Sequence, residues 1–140
     1  MIREYKGKSP DIHPSVYVAH DAIVVGDVTI DEESSVWFQT VIRGDVAPTR
    51  IGKRVNIQDQ SMLHQSPNKP LIIEDDVTIG HQVMLHSAVI RKKALIGMGA
   101  LILDGAEIGE DVVVGAGSLV APGKKVARHG RVVGVPGREG

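Results

Sequence analysis

The amino-acid sequence predicts an all-β protein that winds as a parallel β-helix, a stack of coils made of very short strands. The first observation is an apolar residue at every sixth position over most of the chain. The second is a column of small or β-branched residues four positions after these anchors, and the third is the frequent glycine directly after an anchor. A period of six fits neither the helical repeat of 3.6 nor the strand alternation of two.

The eighteen anchor positions are all Ile, Val or Leu. They are Ile12, Val18, Val24, Ile30, Val36, Ile42, Ile51, Ile57, Leu63, Ile73, Ile79, Leu85, Ile90, Ile96, Ile102, Ile108, Val114 and Val120. This pattern resembles the hexapeptide repeat, whose fold is a left-handed β-helix with three six-residue sides per coil. On that resemblance the anchors predict a triangular prism of six coils, with residues 1–140 forming a single domain.

The second column is expected to fill the prism together with the anchors. It includes Val46 and Val89, and it breaks at Pro67 and Lys124. A glycine after an anchor, such as Gly80, predicts either a turn with positive φ or a close approach between backbones.

Composition limits the classes of function. The 16 Lys and Arg residues balance 17 Asp and Glu residues and are interspersed with them, so neither a nucleic-acid surface nor a membrane-binding surface is predicted. The chain has no cysteine, so any metal would be held by nitrogen and oxygen ligands. No apolar run resembles a leader or a membrane span, and we therefore expect a cytoplasmic protein.

Three irregular steps between anchors mark a candidate site. Steps of nine, ten and five residues occur at 42–51, 63–73 and 85–90. With three sides per coil, all three steps fall at one corner of the prism. Arg43, His64 and His86 directly follow the anchors there, so they are predicted to stack on successive coils, about 4.8 Å apart at the backbone.

The same counting puts His81 on a different side of the prism, with Asp59 one coil away in its column. Tetrahedral zinc, with bonds of about 2.0 Å, needs nitrogens about 3.3 Å apart, which His64 and His86 could supply. A three-fold assembly could bring the His81 of a neighbouring subunit against them, so the sequence predicts a homotrimer with shared metal sites. The remaining histidines, His13, His20 and His129, are interpreted as ordinary solvated side chains.

The chain also resembles the γ-class carbonic anhydrase family over residues 8–137. An Arg-Gly-Asp segment at 43–45, Asn-Ile-Gln-Asp at 56–59, and the three spaced histidines carry the resemblance. It implies that His64, His81 and His86 bind zinc, or iron or cobalt, with two ligands from one subunit and one from its neighbour. Zinc would lower the pKa of bound water towards about 7, and the resulting hydroxide would attack carbon dioxide to give bicarbonate.

The resemblance also implies roles for residues around the metal. Gln58 matches a catalytic glutamine whose amide can orient the hydroxide or the substrate. Arg43, Asp45, Asp59 and Asn56 match residues that orient substrate or hold the interface, with Arg43 pairing with Asp59 between subunits.

Two departures from the family pattern lead to expectations. The family places proton-carrying glutamates where this chain has Val46 and the acid-free loop 65–70, so we expect low hydration activity. The family also follows a Gly-x-Pro segment, here 134–136, with a C-terminal helix; we expect that this helix is either missing or lies beyond Gly140.

Two other classes of function remain open on the sequence. Hexapeptide proteins include coenzyme A-dependent acyltransferases, and a metal-dependent thioesterase could use the same three histidines. A non-catalytic trimeric scaffold stabilised by metal is the other alternative.

Overall fold

The computed structural model describes residues 1–140 and shows a parallel β-helix with three faces. Each strand pairs in parallel with the strand one coil away, except β20, which pairs antiparallel with β19 and closes the last coil. The structure has no helix, and so it contains no helix that could cross a membrane.

The strands lie on three faces. The first face has β2 (Asp11–Ile12), β9 (Leu71–Ile73), β12 (Val89–Ile90), β15 (Glu107–Ile108) and β18 (Lys125–Val126). The second has β3 (Tyr17–Val18), β5 (Ser35–Val36), β7 (Asn56–Ile57), β10 (Thr78–Ile79), β13 (Leu95–Ile96), β16 (Val113–Val114), β19 (Arg131–Val133) and β20 (Arg138–Glu139). The third has β1 (Ile2–Arg3), β8 (Met62–His64), β11 (Met84–His86), β14 (Leu101–Ile102) and β17 (Leu119–Val120). Two long strands, β4 (Ile23–Ile30) and β6 (Val41–Ile51), run from the third face to the first.

The anchors stack in register and form one continuous apolar core, as the sequence predicts. On the third face, Leu85 pairs with Leu63 on one side and Ile102 on the other, and all three are fully buried. The predicted six coils are too few. Val126 and Val132 continue the period, pair with the coil before them and are buried, so the prism has about seven coils.

Glycines after anchors serve close approach between coils and not positive φ. A Cβ on Gly80 would lie 2.8 Å from the backbone nitrogen of Met98, and one on Gly97 would lie 2.6 Å from that of Ala116. Positive φ occurs two residues further on, for example at Gln82 (54°). Side chains are therefore excluded where the backbones of adjacent coils nearly touch.

The irregular steps all fall at the corner between the third and first faces, as predicted. There β6 pairs with β4 on both sides of a bulge, with Gly26 opposite Gly44 and Val28 opposite Thr49. The sequence-based assignment of Val46 and Val89 to the core is wrong, because the longer and shorter steps shift the inward position. Val46 is 43% exposed, while Thr49 and Ala88 are fully buried in the prism.

The corner between the first and second faces carries blocks of charge that alternate in sign from coil to coil. We call this the charge ladder, and its blocks are 31–33, 53–54, 74–76, 91–93, 110–111 and 128–129. Neighbouring blocks pair: Arg54 Nε donates to Asp76 Oδ1 at 2.7 Å, and Arg91 Nη1 donates to Glu74 Oε2 at 2.8 Å. Opposite charges therefore meet on adjacent coils along this edge.

The third face carries an outward stripe that is apolar throughout. This third-face stripe consists of the residues that precede the anchors, namely Ile23, Val41, Met62, Met84, Leu101 and Leu119. Met84 is 43% exposed, and the others are partly exposed. The corresponding outward positions of the first face include Asp11, Arg50, Glu107 and Lys125, and those of the second face include Ser35, Asn56 and Arg131. Only the third face is therefore apolar along its whole length.

Candidate metal centre

His64 and His86 stack at the corner between the third and first faces. They are paired residues of adjacent strands, and the Nδ1 atom of His64 lies 3.3 Å from the Nε2 atom of His86. Their side chains are 20% and 27% exposed, so both rings are largely shielded from solvent. The stacking predicted from the sequence is therefore observed. We call this corner the double-histidine corner.

Each of these rings turns its other nitrogen to a carboxylate. Asp45 Oδ1 lies 3.0 Å from His64 Nε2, and Asp104 Oδ1 lies 2.6 Å from His86 Nδ1. The nitrogens that face each other are thus left free of carboxylate contacts. Histidines that bind metals commonly donate their second ring N–H to a carboxylate, which orients the ring and makes it a stronger ligand.

Both carboxylates are held in the charged form. Burial raises the pKa of Asp45, but hydrogen bonds from Arg43 and His64 outweigh that effect and keep the pKa below its ordinary value. The hydrogen bond from Ser66, helped by His86, lowers the pKa of Asp104 against the opposing effect of burial. Both groups therefore accept hydrogen bonds as carboxylates near neutral pH.

Arg43 and Gln65 support Asp45 from two directions. Arg43 donates to Asp45 Oδ2 from Nε at 3.1 Å and from Nη2 at 2.6 Å. The buried side chain of Gln65 donates to the Arg43 carbonyl and to Thr49 Oγ1, and accepts from the Ala47 amide at 3.3 Å. Because these partners lie on both sides of Asp45, Gln65 fixes the bulge that carries this carboxylate.

His81 lies at the corner between the second and third faces, as the register predicts. Its Nδ1 atom is 3.0 Å from Asp59 Oδ1, and its side chain is 51% exposed. Gln58 Nε2 donates to Asn56 Oδ1 at 2.8 Å, and Asn56 Nδ2 donates to Ser35 Oγ at 2.7 Å. This chain of amides leaves Gln58 Oε1 without a partner in the protein. We call this corner the single-histidine corner.

The expected site residues thus form two groups, which one chain does not bring together. The third-face stripe separates the two corners, and no three His, Asp or Glu side chains converge to hold a metal within the chain. Within the chain, Arg43 pairs with Asp45, and Asp59 pairs with His81. Arg43 and Asp59 therefore do not contact each other within one chain. The nitrogen spacing of 3.3 Å at the double-histidine corner equals the edge of a zinc tetrahedron, so these two donors fit a divalent metal.

The sequence interpretation missed Asp104, Gln65 and Ser66. His86 directly follows its anchor Leu85, whereas Asp104 stands two residues after the paired anchor Ile102. Counting along the column of His86 therefore leads to Leu103, and the register alone does not point to Asp104. Gln65 and Ser66 stand in the ten-residue step between anchors, where the six-residue period does not predict which residues are neighbours on adjacent coils. No other signal in the sequence identifies their partners.

Comparison with known proteins agrees with the coil architecture. A family model described as bacterial transferase hexapeptide (six repeats) matches residues 87–122. A crystal structure from Bacillus cereus, described as a "putative acetyltransferase", superposes with a TM-score of 0.98 at 59% identity, covering 99% of this chain and 80% of that one. The fold is thus the left-handed parallel β-helix of hexapeptide-repeat proteins.

Curated relatives show to which family of hexapeptide-repeat proteins the chain belongs. A "probable carbonic anhydrase" of Methanocaldococcus jannaschii is 54% identical over 127 residues, 91% of this chain and 80% of that protein. The carbonic anhydrase of Geobacillus kaustophilus is 68% identical over 103 residues, and the mitochondrial γ carbonic anhydrase 1 of Arabidopsis thaliana is 41% identical over 102. These matches cover 74% and 69% of this chain, but only 57% and 37% of those two relatives. The chain belongs to the γ-class carbonic anhydrase-like family.

Proposed function

We propose that this chain is the subunit of a homotrimeric metalloenzyme that hydrates carbon dioxide to bicarbonate. The observation that carries the proposal is the pair of ring nitrogens of His64 and His86, 3.3 Å apart, with a carboxylate on the opposite nitrogen of each ring. A zinc ion, or iron or cobalt, would supply the Lewis acidity that activates water at neutral pH. Its third protein ligand would be His81 of a neighbouring subunit.

The third-face stripe supports the trimer. It lies between the single-histidine and double-histidine corners, so a three-fold axis facing the stripe would bring one corner of each subunit against the other corner of its neighbour. The same contact would cover the apolar side chains of Met62, Met84 and Leu101, which are partly or largely exposed in the single chain. Assembly and completion of the site would therefore be one event.

The remaining polar residues would orient the ligands and the substrate. Arg43 holds Asp45, which holds His64, and Asp59 orients His81. Gln58 has its amide nitrogen engaged by Asn56, so its free oxygen can accept a hydrogen bond from the attacking water and fix the direction of that water.

Slow turnover is part of this proposal. Val46 stands exposed at the bulge, and the polar side chains of the 65–70 loop include no carboxylate. Proton removal would depend on buffer that reaches the site from solution, and we expect turnover to rise with buffer concentration.

The test is stopped-flow hydration of carbon dioxide on protein whose metal has been quantified. We expect about one metal ion per chain, activity that a chelator removes, and loss of both metal and activity in His64→Ala. His129→Ala is the matched control, because His129 also contacts an aspartate, at 3.2 Å, but on an exposed corner. A purified trimer that binds no zinc, iron or cobalt would overturn the proposal, and a trimer that binds metal without turnover would make it a scaffold.

Coenzyme A-dependent acyl transfer is a second candidate, because the similar Bacillus cereus structure is described as a "putative acetyltransferase". A histidine of one subunit would then act as a general base on an acceptor at the subunit interface. Activity that needs coenzyme A and survives a chelator would favour this candidate. A thioester hydrolysis that the chelator abolishes would point instead to a metal-dependent thioesterase.

A further inference from the structure

Asp104 lies one coil beyond His86 at the double-histidine corner, and its two carboxylate oxygens have separate partners. Its Oδ1 atom lies 2.6 Å from His86 Nδ1, and its Oδ2 atom accepts a hydrogen bond from Ser66 Oγ at 2.5 Å. The side chain is 26% exposed, so both contacts are partly shielded from water. The Asp104 carboxylate therefore links His86, which lies one coil away from it, to Ser66 of the 65–70 loop, which lies two coils away from it.

Ser66 begins the turn of the 65–70 loop, which a second serine also holds. The Ser66 amide donates to Ser87 Oγ at 2.8 Å, and Ser87 Oγ donates to the Lys69 carbonyl at 2.6 Å. Ser66 and Lys69 also pair with each other through their backbones. The loop is thus closed on itself and is attached to the neighbouring coils at two points. One is Ser87, which follows His86 in sequence, and the other is Asp104.

We propose that Asp104 is a positioning residue that couples the 65–70 loop to the metal ligand His86. This inference rests on the proposed function, because it takes His86 as a ligand. By accepting the Nδ1–H of His86, the carboxylate leaves the lone pair of Nε2 available on the side that faces His64. Ser66 holds the other oxygen, so the carboxylate cannot rotate away from the imidazole.

A second histidine and aspartate pair provides a built-in control. Asp111 and His129 are also eighteen residues apart on adjacent coils, with His129 Nδ1 3.2 Å from Asp111 Oδ2. Their side chains are 56% and 64% exposed, and no serine holds the aspartate. Substitution of Asp111 therefore removes the same kind of contact without touching the loop or the site.

The experiment measures zinc affinity of the full-length protein by competition with a chromophoric chelator. We expect Asp104→Asn to weaken zinc binding by about 10- to 100-fold, the range found when partners of metal-bound histidines are replaced. Asp104→Glu should recover part of this loss, because it restores the charge at a shifted position. Asp111→Asn should leave the affinity unchanged.

Hydrogen exchange of the loop amides tests the coupling in the metal-free protein. Ser66→Ala and Asp104→Asn should both accelerate exchange at 66 and 69, whereas Asp111→Asn should not. The melting temperature of each metal-free variant shows whether the prism remains folded, and Asp104→Glu with Ser66→Ala replaces Asp104→Asn if that variant does not fold.

The outcomes separate this inference from the proposed function. Zinc affinity of Asp104→Asn within twofold of wild type, with wild type binding zinc, would overturn the inference alone. If wild-type protein binds none of zinc, iron and cobalt, the proposed function and the ligand part of the inference both fail. Unchanged exchange at 66 and 69 in the folded variants would refute the coupling to the loop.

Discussion

Replacing Gln65 with leucine should destabilise the protein through the bulge that carries Asp45. Gln65 is 1% exposed, and its amide bonds three groups: the Arg43 carbonyl, Thr49 Oγ1 and the Ala47 amide. Leucine is close in volume but leaves all three without their partner. Each lost bond costs about 0.5–1.5 kcal/mol if water reaches the orphaned group and about 1–3 kcal/mol if it stays dry.

The expected loss of unfolding free energy is therefore about 1.5–4.5 kcal/mol if water enters the bulge and about 3–9 kcal/mol if it does not. Urea unfolding at one fixed protein concentration measures it, since an oligomer gains apparent stability with concentration. Gln58→Leu is the matched control, because Gln58 is half-buried and donates only one bond, to Asn56, so about 0.5–1.5 kcal/mol is expected.

Hydrogen exchange gives a local readout of the same substitution. The Ala47 amide loses its acceptor in Gln65→Leu and should exchange faster than in wild type, while it should be unaffected in Gln58→Leu. The reasoning would be refuted if the two leucine variants unfolded at the same urea concentration, or if Ala47 kept its protection.

Two further predictions concern ion pairs that include none of the three histidines. The hydrogen bond from Arg50, opposed by burial, lowers the pKa of Asp27, so the stabilisation of this pair is present above the unfolded-state pKa of about 3.9 and is lost as pH falls through the lower folded-state pKa. Urea unfolding of Asp27→Asn should accordingly show a deficit at pH 7 that shrinks in strong acid, and a deficit independent of pH would contradict this. In the charge ladder, Arg54→Glu places like charge beside Asp76 and should lower the melting temperature, with 1 M NaCl removing most of the difference; a salt-independent change would argue against electrostatic pairing.

The columns of the prism could be predicted from the sequence because a parallel coil repeats its side-chain directions at a constant step. Once the anchors are counted, residues after equivalent anchors must lie on the same corner. Thus His64 stacks with His86 and Asp59 with His81, as the register predicts. The same rule would have extended the repeat to Val126 and Val132, where the break at Lys124 hid it.

Where the step between anchors is longer or shorter than six residues, the period no longer predicts which side chains point inward. At those places only the tertiary structure decides the contacts. Val46 was expected inside the prism, but the nine-residue step turns it outward and buries Thr49 instead. Gln65 and Ser66 follow His64 in sequence, yet their partners lie one and two coils away, and the path of the backbone there depends on packing.

The sequence by itself determined the parallel β-helix and the two histidine corners, because these depend on the spacing of the anchors. Its motifs at 43–45 and 56–59, with the three histidines, carried the resemblance to an anhydrase site. Tertiary structure decided which nitrogen of each imidazole faces a carboxylate and which faces the other ring. That choice depends on side-chain rotation and on residues from four successive coils, and spacing along one column does not specify either.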